Sequence, residues 1–205
     1  VSCPRGVTLA SGLDAMVQAI ENFSSTKATP ASRGFARQGV AMVADALPHV
    51  IRHPDDVDRR GQMQLGAFFS GVGLMNGGGG IAGALSYPLG THFNIPHGLA
   101  HAVFTPAVIQ WNAARGCDVY ADLCDALPGA NDRLSRADKS VDFGRRVRAL
   151  FEEVGGPLTL RALGLDCDAA RRFQDIVASQ PLLPAFQQNP TPFTLDDVGT
   201  LIETM

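Results

Sequence analysis

Apolar residues recur every three or four positions along most of the 205-residue chain, and this helical spacing constrains its fold most strongly. No segment alternates apolar and polar residues as a half-buried strand would. The sequence therefore predicts one almost entirely helical, all-α domain over residues 1–205. Ser11 is the expected cap of the first helix, whose apolar positions are Leu13, Met16, Val17, Ile20 and Phe23.

Prolines and small residues mark the next helices. The stretch "ASRGFARQGVAMVADALPHVIRHPDD" predicts a second helix that ends near Pro48 or Pro54. A third is predicted from about Asp56, with large apolar residues on one side and small residues on the other. The run "HGLAHAVFTPAVIQWNAA" predicts a buried helix kinked at Pro106.

The last third of the chain predicts shorter helices. The final one has Thr194 three residues ahead of Asp197, which is the spacing of a capping box with aspartate in place of glutamate. The predicted ranges are 118–126, 139–154, 158–163, 168–179 and 194–204.

Charge and cysteine content exclude several classes of protein. The formal net charge is -3 and the basic residues are scattered, so the sequence predicts no nucleic-acid partner. No apolar run approaches the roughly 20 residues that cross a bilayer, so no membrane partner is expected. The four cysteines form no CxxC pair, which favours reduced thiols and a cytoplasmic location over a disulfide framework or a zinc knuckle.

The glycine-rich stretch "NGGGGIAGALSYPLG" has two interpretations. A phosphate-binding loop requires a preceding strand, whereas a long helical pattern precedes this one. The favoured interpretation is a tightly packed buried helix whose glycines admit a neighbouring backbone or a ligand.

Three of the five histidines fall within "GTHFNIPHGLAH". His97 and His101 are one helical turn apart and share a face, a spacing at which two imidazoles can bind one metal ion. In the alternative, each makes an ordinary backbone or solvent hydrogen bond. His92 lies before this helix and need not face the same way.

On the first helix, Asp14 lies among apolar positions, with Gln18 one turn later on the same face. A buried acid needs a partner, and for a lone aspartate that partner is more often a helix turn or an arginine than a metal. A carboxylate with one or more imidazoles would suit Fe(II) or Zn(II), acting as a Lewis acid on a carbonyl or alkoxide oxygen.

The residues also resemble a known family. "SGLDAMVQAIENFSS" is similar to the pattern G-x-D-A-x-x-H-A-I-E of the iron-containing (group III) alcohol dehydrogenases, within the dehydroquinate-synthase-like fold. "GVGLMNGGGGIAGALSYPLGTHFNIPHGLAHAVFTPAVIQWN" resembles their glycine-rich and P-H-G signature, and "NPTPFTLDDVGTLIE" resembles their closing segment. The resemblance covers nearly the whole chain.

The resemblance implies the helical domain of a two-domain enzyme. Family members have an NAD(P)-binding α/β domain before the helical domain. This sequence contains no βαβ pattern that would indicate such a domain. That half is therefore expected to be absent, cleaved off or supplied by another chain.

The resemblance also implies a divalent metal held by one aspartate and three histidines. Asp14 and His97 match two of these ligands, whereas Gln18 and Gly83 stand where the other two histidines are expected. The predicted metal residues are Asp14, His97 and Gln18, with weak or absent metal binding. Tyr87 stands where the family has a further histidine of the substrate pocket or proton relay.

Two functions follow from the resemblance. The first is an NAD(P)-dependent oxidoreductase for a small alcohol or aldehyde, in which Tyr87 or His101 donates the proton if no metal binds. The second is a non-catalytic helical module kept for partner binding or oligomerisation. A homo-oligomer is expected in either case.

Overall fold

The computed structural model describes residues 2–180 and 183–205. These residues contain helices and no β-strand, which confirms the predicted all-α fold. A short 3-10 helix spans Arg161–Leu163. The α-helices are α1 (Arg5–Ser24), α2 (Pro30–Arg52), α3 (Val57–Gly77), α4 (Ile81–Phe93), α5 (His97–Ala114), α6 (Ala121–Cys124), α7 (Arg136–Val154), α8 (Cys167–Ala178), α9 (Leu183–Phe186) and α10 (Asp197–Glu203).

Helix α1 is the centre of the fold, and it packs against α2, α3 and α5. Leu13, Met16 and Val17 are completely buried, as the apolar spacing predicts. Most of α1 from Gly12 onward is buried, so a charged side chain on this part of the helix favours a partner inside the protein. Helix α4 also packs against both α1 and α5, so the glycine-rich segment and the histidine segment meet at α1.

The two sides of α3 differ as predicted, and its small side faces the core. The buried positions are Gly66, Ser70, Gly73 and Gly77. The large apolar residues Leu65, Phe68 and Met75 are exposed. The small residues let α3 approach α1 and α2 closely.

Several boundaries differ from the predictions. Helix α1 begins at Arg5, and Ser11 lies inside it with its hydroxyl donating to the Val7 carbonyl, so Ser11 is not a cap. Helix α2 continues through Pro48 to Arg52. The buried helix expected over the glycine-rich stretch forms only in part. Helix α3 ends at Gly77, residues 78–80 form a connection, and α4 starts at Ile81, because consecutive glycines are poor helix formers.

The short helices near the end of the chain are mostly less extensive than predicted. Helix α6 has four residues, and only the 3-10 helix forms within 158–163. Helix α10 begins at Asp197, whose carboxylate accepts from both the N–H and the hydroxyl of Thr194 at 2.8 Å. Both bonds run toward Asp197, so the predicted capping box is only half formed.

Gly98 permits the close crossing of α1 and α5. A Cβ at this position would collide with the carbonyl oxygen of Ala10 and lie 3.0 Å from the Cβ of Asp14. Backbone cannot yield as a flexible side chain can, so any side chain here forces the two helices apart. Asp14 faces α5 at this crossing.

We expect Gly98→Ala to lower the free energy of unfolding by about 2 kcal/mol through this collision. Gly34→Ala is the matched control, since Gly34 is exposed in α2 and an added Cβ meets nothing. Helix propensity should make that control more stable by about 0.5–1 kcal/mol. Urea denaturation of both variants measures the difference, and equal stability would contradict the predicted collision.

Candidate functional site

The polar face of α1 meets the histidines of α5. Asp14, Gln18 and Glu21 follow one another at helical spacing and share this face. His97 and His101 project toward it from the first two turns of α5, with ring centroids 5.2 Å apart. Asp14, Glu21, His97 and His101 are called the acid–histidine cluster below.

His101 lies between the two carboxylates of the cluster. Its Nδ1 is 3.0 Å from Oδ1 of Asp14, and its Nε2 is 3.0 Å from Oε2 of Glu21. An ionised carboxylate can only accept a hydrogen bond, so both ring nitrogens of His101 act as donors. The side chain is therefore an imidazolium, buried to 3% exposure.

The surroundings of His101 determine its charge. Burial alone lowers the pKa of this side chain, but the Glu21 charge and the hydrogen bonds to Asp14 and Glu21 outweigh that effect and raise the pKa to about 9. The expected alternative, in which Asp14 pairs with an arginine, is not what the structure has, since its charged partner is His101.

His97 has the opposite character. The Ser86 hydroxyl donates to the Gly83 carbonyl at 2.6 Å, so its oxygen accepts from Nδ1 of His97 at 3.1 Å. Burial and the nearby His101 lower the pKa of His97, although Asp14 raises it. His97 is thus favoured in its neutral form, and its Nε2 lies 3.6 Å from Oδ1 of Asp14.

The other residues singled out from the sequence have different positions. Gln18 donates its amide Nε2–H to Oδ2 of Asp14 at 2.8 Å, so it contacts the acid–histidine cluster. Tyr87 is 62% exposed, and its ring centroid lies 5.2 Å from that of His97. His92 is exposed at the end of α4, and His49 pairs with Asp56 elsewhere.

Glu21 is the member of the site that sequence reasoning missed. Its carboxylate accepts from His101 and, through Oε1, from the backbone N–H of Gly83 at 3.0 Å. The signal was present, because Glu21 lies one turn after Gln18 on the same face and matches the glutamate of the family pattern. The missed residue connects α1, α4 and α5.

The cluster does not fit a divalent ion as it is arranged. One ligand atom each from Asp14, His97 and His101 lie within 4.8 Å of one another, a spacing that suits an ion. However, both nitrogens of His101 are hydrogen-bonded to carboxylates, Gln18 presents an N–H, and Gly83 has no side chain. With the Gln18 amide turned as it is, only His97 Nε2 and the Asp14 carboxylate remain as ligand atoms in the cluster, fewer than the three protein ligands of a typical catalytic site.

Comparison with known proteins identifies the family. Residues 8–205 match the model of the Fe-containing alcohol dehydrogenase family, C-terminal. The chain belongs to this family. Among curated relatives, it is 30% identical over 203 residues to a long-chain-alcohol dehydrogenase 1 of Geobacillus thermodenitrificans, covering 99% of this chain and 51% of that protein.

Further relatives agree with this membership. A lactaldehyde reductase of Escherichia coli is 29% identical over 204 residues, covering 98% of this chain and 51% of that protein. An alcohol dehydrogenase structure from Oenococcus oeni has the same fold, with a TM-score of 0.89 at 22% identity, over 98% of this chain and 52% of that one. The chain spans about half the length of the curated relatives it matches.

Proposed function

We propose that residues 1–205 form the substrate-side domain of an NAD(P)-dependent oxidoreductase that interconverts a small alcohol and its aldehyde or ketone. One observation carries this proposal, namely the acid–histidine cluster beside an exposed tyrosine. A buried imidazolium held by two carboxylates is costly to build, and such groups concentrate at functional sites.

A nucleotide-binding half, in cis or in trans, would complete the enzyme. The relatives are about twice as long as the matched region, which supports this part of the proposal. Asp14, His97 and Tyr87 reach the surface from one side, so a second domain could close over them. When bound there, NAD(P)H would supply the hydride to the carbonyl carbon.

Reduction then needs one proton at the substrate oxygen. As the carbonyl carbon gains the hydride, the π electron pair moves to oxygen, and the Tyr87 hydroxyl donates the proton to it. Tyr87 suits direct transfer because its side chain is exposed, whereas His101 is buried with both nitrogens engaged. In this proposal His101 is a positioning residue that holds Asp14 opposite His97. Oxidation of the alcohol reverses these steps.

We also infer a reducing, cytoplasmic location and a homo-oligomer. The four cysteines Cys3, Cys117, Cys124 and Cys167 are free thiols, which supports the first part. The exposed Leu65, Phe68 and Met75 of α3 support association with another surface. In the described residues, no helix combines the length and the apolar character needed to cross a membrane.

The natural polypeptide that carries residues 1–205, supplied with a nucleotide-binding half if it has none, should oxidise NADH or NADPH in the presence of small aldehydes. We expect Tyr87→Phe to lower kcat about 100-fold through loss of the proton donor, with little change in KM. Steady-state assays across an aldehyde panel measure both constants.

Tyr120→Phe is the matched control, because Tyr120 is the chain's other tyrosine and its hydroxyl is buried, where it accepts from the Asn112 amide at 2.8 Å. It should retain activity. Undiminished turnover in Tyr87→Phe would remove the tyrosine from the mechanism. No turnover with any aldehyde and either cofactor would overturn the oxidoreductase proposal and favour a non-catalytic helical module.

A further inference from the structure

The loss of two expected metal-binding imidazoles raises the question of what fills their place. Gly83 lies in the first turn of α4, directly facing the acid–histidine cluster. A Cβ added at Gly83 would lie 2.9 Å from Oε2 of Glu21 and 3.2 Å from Nε2 of His101. A side chain at position 83 and the His101 ring therefore compete for the same space.

Each oxygen of the Asp14 and Glu21 carboxylates accepts one hydrogen bond within the protein. Oδ1 of Asp14 accepts from His101, and Oδ2 accepts from Gln18. Oε1 of Glu21 accepts from the Gly83 N–H, and Oε2 accepts from His101. Each of these bonds engages one lone pair that would otherwise be available to an ion.

We propose that the His101 side chain has replaced the metal of this site. Its ring fills the space that a ligand from position 83 would need. From α5, the ring reaches α1 and hydrogen-bonds both Asp14 and Glu21. The cluster accordingly binds no divalent cation with useful affinity. An ion that took His101 as a ligand would have to break one of its two hydrogen bonds, and an ion bound to Asp14 and His97 alone would have fewer protein ligands than a typical catalytic metal.

This inference does not rest on the proposed reaction. A metal-free cluster is compatible with catalysis or with a purely structural role, and metal binding is measured without substrate or NAD(P). Failure of either proposal is therefore distinguishable from failure of the other.

The first test is metal binding by the unaltered protein. We expect dialysis against Zn²⁺, or against Fe²⁺ without oxygen, followed by elemental analysis, to give no stoichiometric metal at this site. His97→Gln identifies binding elsewhere, because ions on surface thiols or on other histidines persist in that variant. Stoichiometric metal that disappears in His97→Gln would overturn the proposal.

The second test restores the missing ligands. Gln18→His with Gly83→His keeps His101, and a triple variant adds His101→Asn, which removes the ring from the contested space. We expect the triple variant to bind Zn²⁺ at least about 100-fold more tightly than the double variant, because each imidazole adds a ligand only when space exists for it. Equal affinities, measured by calorimetric titration, would show that His101 is not the obstacle.

A spectroscopic measurement on the unaltered protein tests the proposal without depending on the folding of any variant. In the unaltered protein, both ring N–H protons of His101 are hydrogen-bonded and buried, so they should exchange slowly and give two downfield proton NMR signals. Addition of Zn²⁺ should leave both signals in place. Their loss on adding Zn²⁺ would mean that metal displaces His101 and would overturn the proposal.

Discussion

Replacement of His101 with leucine is expected to lower the free energy of unfolding by about 3 kcal/mol at neutral pH. Leucine fills much of the same volume, so apolar packing is largely kept. The change removes the positive charge and two N–H donors that face Asp14 and Glu21. Glu21 is 7% exposed, so water cannot replace the lost partner. Urea denaturation monitored by circular dichroism measures the loss.

His49→Leu is the matched control for this change. His49 also pairs with an aspartate, at 2.9 Å from Asp56, but both side chains are about a third exposed. Surface pairs contribute at most about 1 kcal/mol, so the control should lose less than that. If the free energy of unfolding fell by the same amount in both variants, burial would not be the reason that the His101 ion pairs stabilise the protein.

The sequence predicted the helices better than their ends. The long helices α1, α2, α3 and α5 followed from apolar spacing, because a surrounded helix must carry apolar residues at helical intervals. The range 158–163 was overestimated because a few apolar residues do not outweigh the cost of starting a helix. Terminal positions depend on local hydrogen bonds, and although the spacing of Thr194 and Asp197 indicated an interaction, it did not reveal that both bonds would run to the Asp197 carboxylate.

The site was only partly predictable for a different reason. Asp14 and His97 are far apart in sequence, and only the family resemblance brought them together before the structure did. The substitutions at Gln18 and Gly83 were visible, and they indicated weakened metal binding. The side chain that takes the vacated space depends on how α4 and α5 pack. The two hydrogen bonds of His101, one to Asp14 and one to Glu21, could therefore not be inferred from the sequence.

The stability of the protein is expected to fall as pH rises from about 6.5 to 9. The pKa of His101 is raised from 6.5 to about 9 in the folded protein, by Glu21 and Asp14 against the opposing effect of burial. Below the unfolded value, both states hold the proton and the stabilisation is fully present. Above it, the unfolded chain releases the proton first, and the stabilisation disappears as pH passes through the folded value. At 1.36 kcal/mol per unit, the loss is about 3 kcal/mol.

The other side chains with shifted pKa values affect stability mainly outside this window. His97 is the remaining titratable neighbour of His101 on α5, and its lowered pKa affects stability only below 6.5. Burial raises the pKa of the Cys117 and Cys124 thiols above 9.0, so their effect begins at the upper limit. Urea denaturation between about pH 6.5 and 9 therefore reports mainly on His101. His101→Asn should show a nearly flat profile there, and an equally steep decline in that variant would assign the pH dependence to another group.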